Sequence, residues 1–163
     1  MKEKNQDKYH LAKNYLSEYK TLKVKFESTH EKMVELNRKI NEPQGNAIIE
    51  MVAGSHETRQ KSENIISNYI YLLEELCIKQ DKRLKEIEYK QKEIDNYIKE
   101  NTNTELQYLI LFLYYIEGYN LENISVKVNY SYGHTVRNYV NGLRAIQKSL
   151  ESKGEWIYAN KKG

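Results

Sequence analysis

The residues best suited to chemistry lie close together in the last third of the sequence. Between Ile124 and Leu150 stand four basic residues, Lys127, Arg137, Arg144 and Lys148, and no acidic one. Interleaved with them are Ser131, Tyr132, His134, Asn138 and Asn141, all able to exchange hydrogen bonds. A guanidinium pairs bidentately with guanine, and an Asn amide with adenine, in the major groove. Basic side chains and hydroxyls also grip phosphate without reading sequence. The chemistry on offer is recognition of double-stranded DNA. Tyr132, His134, Arg137, Asn138 and Asn141 are the base-reading candidates. Lys127, Ser131, Arg144 and Lys148 are the phosphate-contact candidates. His134 fits an exposed turn residue equally well.

Such residues need elements that hold them in one frame. Asn120 is placed to cap a short helix carrying Leu121, Ile124 and Val128 on one face. Asn129-Tyr130-Ser131 then reads as a tight turn, with Ser131 capping a further helix. That helix carries Val136, Val140, Leu143 and Leu150 on one stripe, with Ile146 beside it. Two short helices joined in this way make a helix-turn-helix, whose second helix enters the major groove by its N-terminal end. Upstream, Asn101-Thr102-Asn103-Thr104 offers N-cap hydroxyls. A strongly apolar helix with Leu106, Leu109, Ile110, Leu113, Tyr114 and Ile116 follows, ending at Glu117-Gly118. The expected C-terminal domain is 101–163, with its compact part from about Thr102 to Ser152.

The first hundred residues read as long amphipathic helices. From Lys8 to Ile40, the positions Tyr15, Tyr19, Leu22, Phe26, Thr29, Met33, Leu36 and Ile40 alternate steps of four and three, which is a heptad seam. Pro43 and Gly45 should end this helix. A short helical piece from Asn46 to Val52, stopped at Gly54, and a loop or frayed start over Ser55 to Lys61 are expected next, so that the region breaks near 41–62. A second seam then runs through Ile66, Ile70, Leu73, Cys77, Gln80, Leu84, Ile87, Gln91, Ile94 and Ile98. A helix of about 38 residues spans about 57 Å and needs a partner helix to cover its seam. The first helix folded back, or the same helix of a second subunit, would serve. Cys77 on this seam is expected to be a small buried apolar residue. Gln80 and Gln91 are polar seam residues that fix register at some cost in stability. Trp156 is expected to pack the tail onto the C-terminal domain.

Composition agrees with this picture and removes other classes. Of the 163 residues 39% are apolar and 30% charged, which suits elongated helices more than a thick core. The formal charge of +3 is too small to imply nucleic-acid binding, and the local excess around Arg137 is the informative part. Frequent Lys, Asn, Ile and Tyr point to AT-rich codons, as in a low-GC bacterium or its phage. No stretch of 18 uncharged apolar residues occurs, so no membrane partner and a cytoplasmic location are expected. Cys77 is the only cysteine, which excludes an internal disulfide and a multi-cysteine zinc site. His10, His30 and His56 lack metal-ligand spacing. With no Gly-rich phosphate loop or nucleophile elbow either, no enzyme, cofactor or metal is expected.

From Leu109 to Ile146 the sequence resembles the region-4 helix-turn-helix of sigma factors. The matching residues are Tyr115-Ile116-Glu117-Gly118, Asn120, Ile124, Ser131 and Thr135-Val136-Arg137. One departure stands out: Ser131 to Val136 is one residue longer than the usual spacing. The inward face of the second helix is therefore set either by Val136 and Val140 or by Thr135 and Tyr139. The layout as a whole is similar to phage transcriptional regulators of the RinA/ArpU type. That resemblance implies activation of phage genes, commonly late genes, in a bacterial host. The sequence thus leads to an all-α protein, with long coiled-coil-type helices before a C-terminal helix-turn-helix. DNA is its expected partner, and the long helices are candidates for RNA polymerase contact or homodimerisation. A small terminase-type packaging subunit and a coiled-coil adaptor that binds no DNA are the competing readings.

Overall fold

In the computed structural model these periodicities become five α-helices, with no strand among the described residues. Backbone is described for residues 7–42 and 56–160, and side chains for 7–42 and 63–154. The helices are α1 (His10–Asn41), α2 (His56–Asn101), α3 (Glu105–Tyr115), α4 (Leu121–Lys127) and α5 (Tyr132–Asn160). The Pro43–Gly45 stop, the short piece over Asn46–Val52 with its Gly54 stop, and the packing of Trp156 lie outside the described residues. The polar run ending at Lys61 is not a loop: α2 is helical from His56 onward. Glu57, Arg59, Gln60 and Lys61 are good helix formers, and extending an established helix needs no apolar face.

These residues fall into two compact units, one within Met1–Thr21 and Glu88–Gly163, the other Leu22–Ile87. In Leu22–Ile87 the α1 seam is as the sequence reads it. Leu22, Phe26, Thr29, Met33, Leu36 and Ile40 are all buried or half-buried. On α2 only alternate seam positions follow: Ile66, Leu73, Gln80 and Ile87 turn inward. Ile70 and Leu84 stay 43% and 44% exposed, and Cys77 is exposed too, contrary to its expected burial. Tyr69, Leu76 and Arg83, one residue earlier in each heptad, are half-buried in their place. Long amphipathic side chains can cover apolar surface with their stems while their polar ends find partners. Arg83 does this, donating from Nη1 to Thr29 Oγ1 and to the Lys25 carbonyl, the latter at 3.2 Å. Gln80 donates to the Phe26 carbonyl at 2.9 Å, while its own Oε1 is buried without a partner among the described residues.

The other unit contains α3, α4 and α5 together with the first turns of α1 and the last turns of α2. Here α3 and α4 pack on α5 and on one another. Leu16, Ile94, Ile98, Ile110, Leu111, Ile124, Leu143 and Ile146 are fully buried. Each such side chain contributes about 1.5–3 kcal/mol by leaving water. Gly142 lets α5 approach α3 closely, since a Cβ there would lie 3.0 Å from Leu111 Cδ1. Polar contacts fix the long helices to this core. The buried Gln147 of α5 accepts from the Ala12 backbone N–H at 3.0 Å, satisfying a first-turn donor of α1 that has no partner within its own helix. Ser149 donates to Asn101 Oδ1 at 2.7 Å and exchanges a 2.7 Å hydrogen bond with the Tyr97 hydroxyl.

Candidate nucleic-acid interface

The frame that presents α5 is set by local backbone chemistry. Thr104 caps α3, its hydroxyl accepting from Gln107 N at 3.2 Å. Gly118, with φ of 80°, turns the chain out of α3 through the left-handed region that glycine enters freely. Asn120 caps α4, its Oδ1 accepting from Asn123 N at 2.8 Å. α4 ends where Asn129 takes φ of 57°, a conformation that asparagine tolerates better than most side chains, and Tyr130 N donates back to Ser125 O at 3.1 Å. Ser131 then starts α5, its hydroxyl accepting from His134 N at 3.3 Å. The caps read from the sequence at Asn120 and Ser131 are therefore made.

The inward face of α5 draws on both possibilities. Thr135 is fully buried while Val136, Tyr139 and Val140 are all half-buried, so the face is turned by one residue at the start of the helix, and Leu143 further along the expected stripe is buried as read. Thr135 can occupy the interior because its hydroxyl donates to Ser131 O at 3.1 Å. One turn on, Tyr139 exchanges a 2.9 Å hydrogen bond with the Tyr115 hydroxyl, and their rings stack at 6.3 Å. Burial raises the Tyr139 phenol to about 12 and lifts Tyr115 further in the same direction.

With that face inward, Arg137, Asn141, Arg144 and Lys148 are all exposed on the other side. Their spacing of four, three and four places them within an arc of about 60°, over about 16 Å of helix. None of the three cations, nor Lys127, has a carboxylate partner among the described residues, whereas Lys90 is bound by Glu18 and Glu93 at 2.9 Å each. Arg144 Nη1 lies 3.5 Å from Asn141 Oδ1, so these two neighbours share one surface.

Ser131 and Tyr132 are exposed at the start of α5. His134 is half-buried and stacked on Tyr130 at 4.8 Å. Asn138 is half-buried, off the exposed arc, and donates to the His134 carbonyl at 2.9 Å. Lys127 is exposed at the end of α4, its ammonium 4.3 Å from the centre of the Tyr119 ring. Sequence reasoning passes over Tyr119 and Tyr130, which orient Lys127 and His134. Their only signal is an aromatic residue in a polar turn. An exposed row of unpaired cations and an amide on a rigid helix can bind phosphates and meet base edges in a groove about 12 Å wide.

Among the described residues no group of three or more His, Cys, Asp or Glu side chains is placed to hold a metal. No described helix is long and apolar enough to cross a membrane. No known protein family, curated protein or solved structure matches the chain.

Proposed function

We propose that this chain is a sequence-specific DNA-binding transcriptional regulator, an activator of phage late genes working in the cytoplasm of a bacterial host. In this reading α4, the turn and α5 form a sigma-like helix-turn-helix, and α5 is the recognition helix. The observation that carries it is the exposed row Arg137–Asn141–Arg144–Lys148, whose cations have no carboxylate partner among the described residues. Ion pairs are common elsewhere on the chain, so leaving these cations free concentrates positive potential where DNA would dock. Arg137 and Asn141, nearest the start of α5 on this row, are the base-reading residues, and Ser131 and Tyr132 are exposed at the helix start. Arg144, Lys148 and Lys127 fix register on phosphates. The resemblance to sigma region 4 and to RinA/ArpU-type regulators supports the transcriptional role. In such a regulator α1 and α2 are the surfaces for RNA polymerase or for a second copy.

Selection of genomic fragments from the source organism by the purified protein, at physiological salt, tests the reading. Enrichment of one upstream site by the wild type, abolished in Arg137→Ala, is the expected result. Enrichment at a packaging start, with a ring-sized oligomer, would replace it by a terminase-type subunit. Retention of no fragment would leave a protein-binding adaptor.

A further inference from the structure

Glycine weakens a helix relative to alanine, so each helical glycine calls for a reason. Among the glycines with described surroundings, Gly118 has its positive φ and Gly142 its contact with Leu111. Gly133 and Gly154 have neither. Their φ values are not in the left-handed region, and a Cβ added at either would meet nothing within 4 Å. Nothing described in the folded chain requires a glycine at either place.

Gly133 lies in the first turn of α5, exposed, four residues before Arg137. At 100° per residue it falls within about 40° of Arg137 and about 20° of Arg144, on the same arc as the unpaired cations. It is therefore a bare patch of backbone on a surface of long side chains, with exposed Ser131 and Tyr132 just before it. We infer that Gly133 is the point of closest approach between α5 and bound DNA. The DNA passes over the uncovered Cα, and a Cβ there would take space that it needs. Close approach of backbone to a ligand is one of the few uses for which glycine is irreplaceable. This inference rests on the DNA-binding reading above and adds to it a residue that limits how deeply α5 enters the groove.

Gly154 supplies the matched control. It is also helical with open space where a Cβ would stand, but is half-buried and lies 21 residues further along α5, about 31 Å away, beside Leu11 and Leu150. Wild type, Gly133→Ala and Gly154→Ala should be compared for melting temperature and for affinity to the duplex recovered by genomic selection. Both variants should melt about 2–4 °C higher than wild type, as alanine replaces glycine in a helix. Only Gly133→Ala should bind DNA more weakly, by about tenfold, the scale of a single mismatched base pair. A Gly133→Ala protein that is stabilised and binds as tightly as wild type would overturn the inference and leave the DNA-binding reading standing. A lowered melting temperature would also overturn it, by showing that the fold itself needs this glycine. Wild type that binds no duplex would remove the DNA-binding reading, and the inference with it.

Discussion

The two compact units of the chain are built on different principles. In the unit holding α3–α5, Leu16, Ile94, Ile98, Ile110, Leu111, Ile124, Leu143 and Ile146 are fully buried. In Leu22–Ile87 the buried residues among those described are Thr29, Gln80 and Ile87, each still 6–8% exposed, and two of the three are polar. A pair of helices can cover only one stripe on each, whereas helices crossing from several directions enclose a residue completely. On the proposed DNA-binding reading an α5 held by such a core has a use, because base-reading side chains would need a fixed frame. The pair in Leu22–Ile87 keeps exposed Ile70, Leu72 and Ile78 and relies more on hydrogen bonds such as those of Gln80 and Arg83.

Five substitutions bear on that contrast. The largest effect should come from Ile146→Ala, which opens a cavity in the enclosed core and should cost about 2–5 kcal/mol in denaturant unfolding. Leu73→Ala, at a half-buried seam position, should cost clearly less, and equal losses would break the comparison. Gly142→Val comes next, since Leu111 already stands 3.0 Å from where a Cβ would be. Overpacking there should lower stability by about 1–3 kcal/mol, the opposite sign from Gly133→Ala. Gln80→Leu should be neutral or stabilising by less than about 1 kcal/mol. It removes a buried oxygen without a partner among the described residues along with the hydrogen bond to Phe26, and a clear loss would mean that the amide is well satisfied. The smallest effect concerns alkaline pH. Tyr139 is raised from 10 to about 12 by burial, so at neutral pH its phenol is protonated in both folded and unfolded chains. Above pH 10 the unfolded chain ionises first, and stability should fall from there to about pH 12. Tyr139→Phe should flatten that fall, and an unchanged alkaline limb would show that burial of this phenol does not control it.

Much of this architecture is legible in the sequence, and the misreadings of the α2 and α5 faces share one cause. Caps and turns are readable at Asn120, Ser131 and Thr104 because small polar side chains there act on their own backbone. The α1 seam is readable because its apolar positions have no competing stripe. On α2 two adjacent stripes compete, Ile70-Cys77-Leu84 against Tyr69-Leu76-Arg83. Hydrophobicity favours the first, but the long side chains of the second reach further over α1. The same shift by one residue separates Val136 from Thr135 on α5, where a back-bonded hydroxyl makes threonine acceptable inside. For the site, the type and spacing of Arg137, Asn141, Arg144 and Lys148 are visible in the sequence alone. That Asn138 binds its own helix and that His134 rests on Tyr130 depends on the turn geometry, which no periodicity encodes.

The salt dependence of DNA binding tests the central claim most directly. The logarithm of the wild-type association constant should fall linearly with the logarithm of salt concentration. Arg144→Ala and Lys148→Ala should each make the slope shallower by about 0.9, as expected when one fewer phosphate is neutralised. Lys82→Ala, an exposed α2 cation outside the proposed interface, should leave the slope unchanged. Wild type that binds no duplex at low salt, or slopes that respond to Lys82 and ignore Arg144 and Lys148, would contradict the assignment of α5 as the DNA-binding surface.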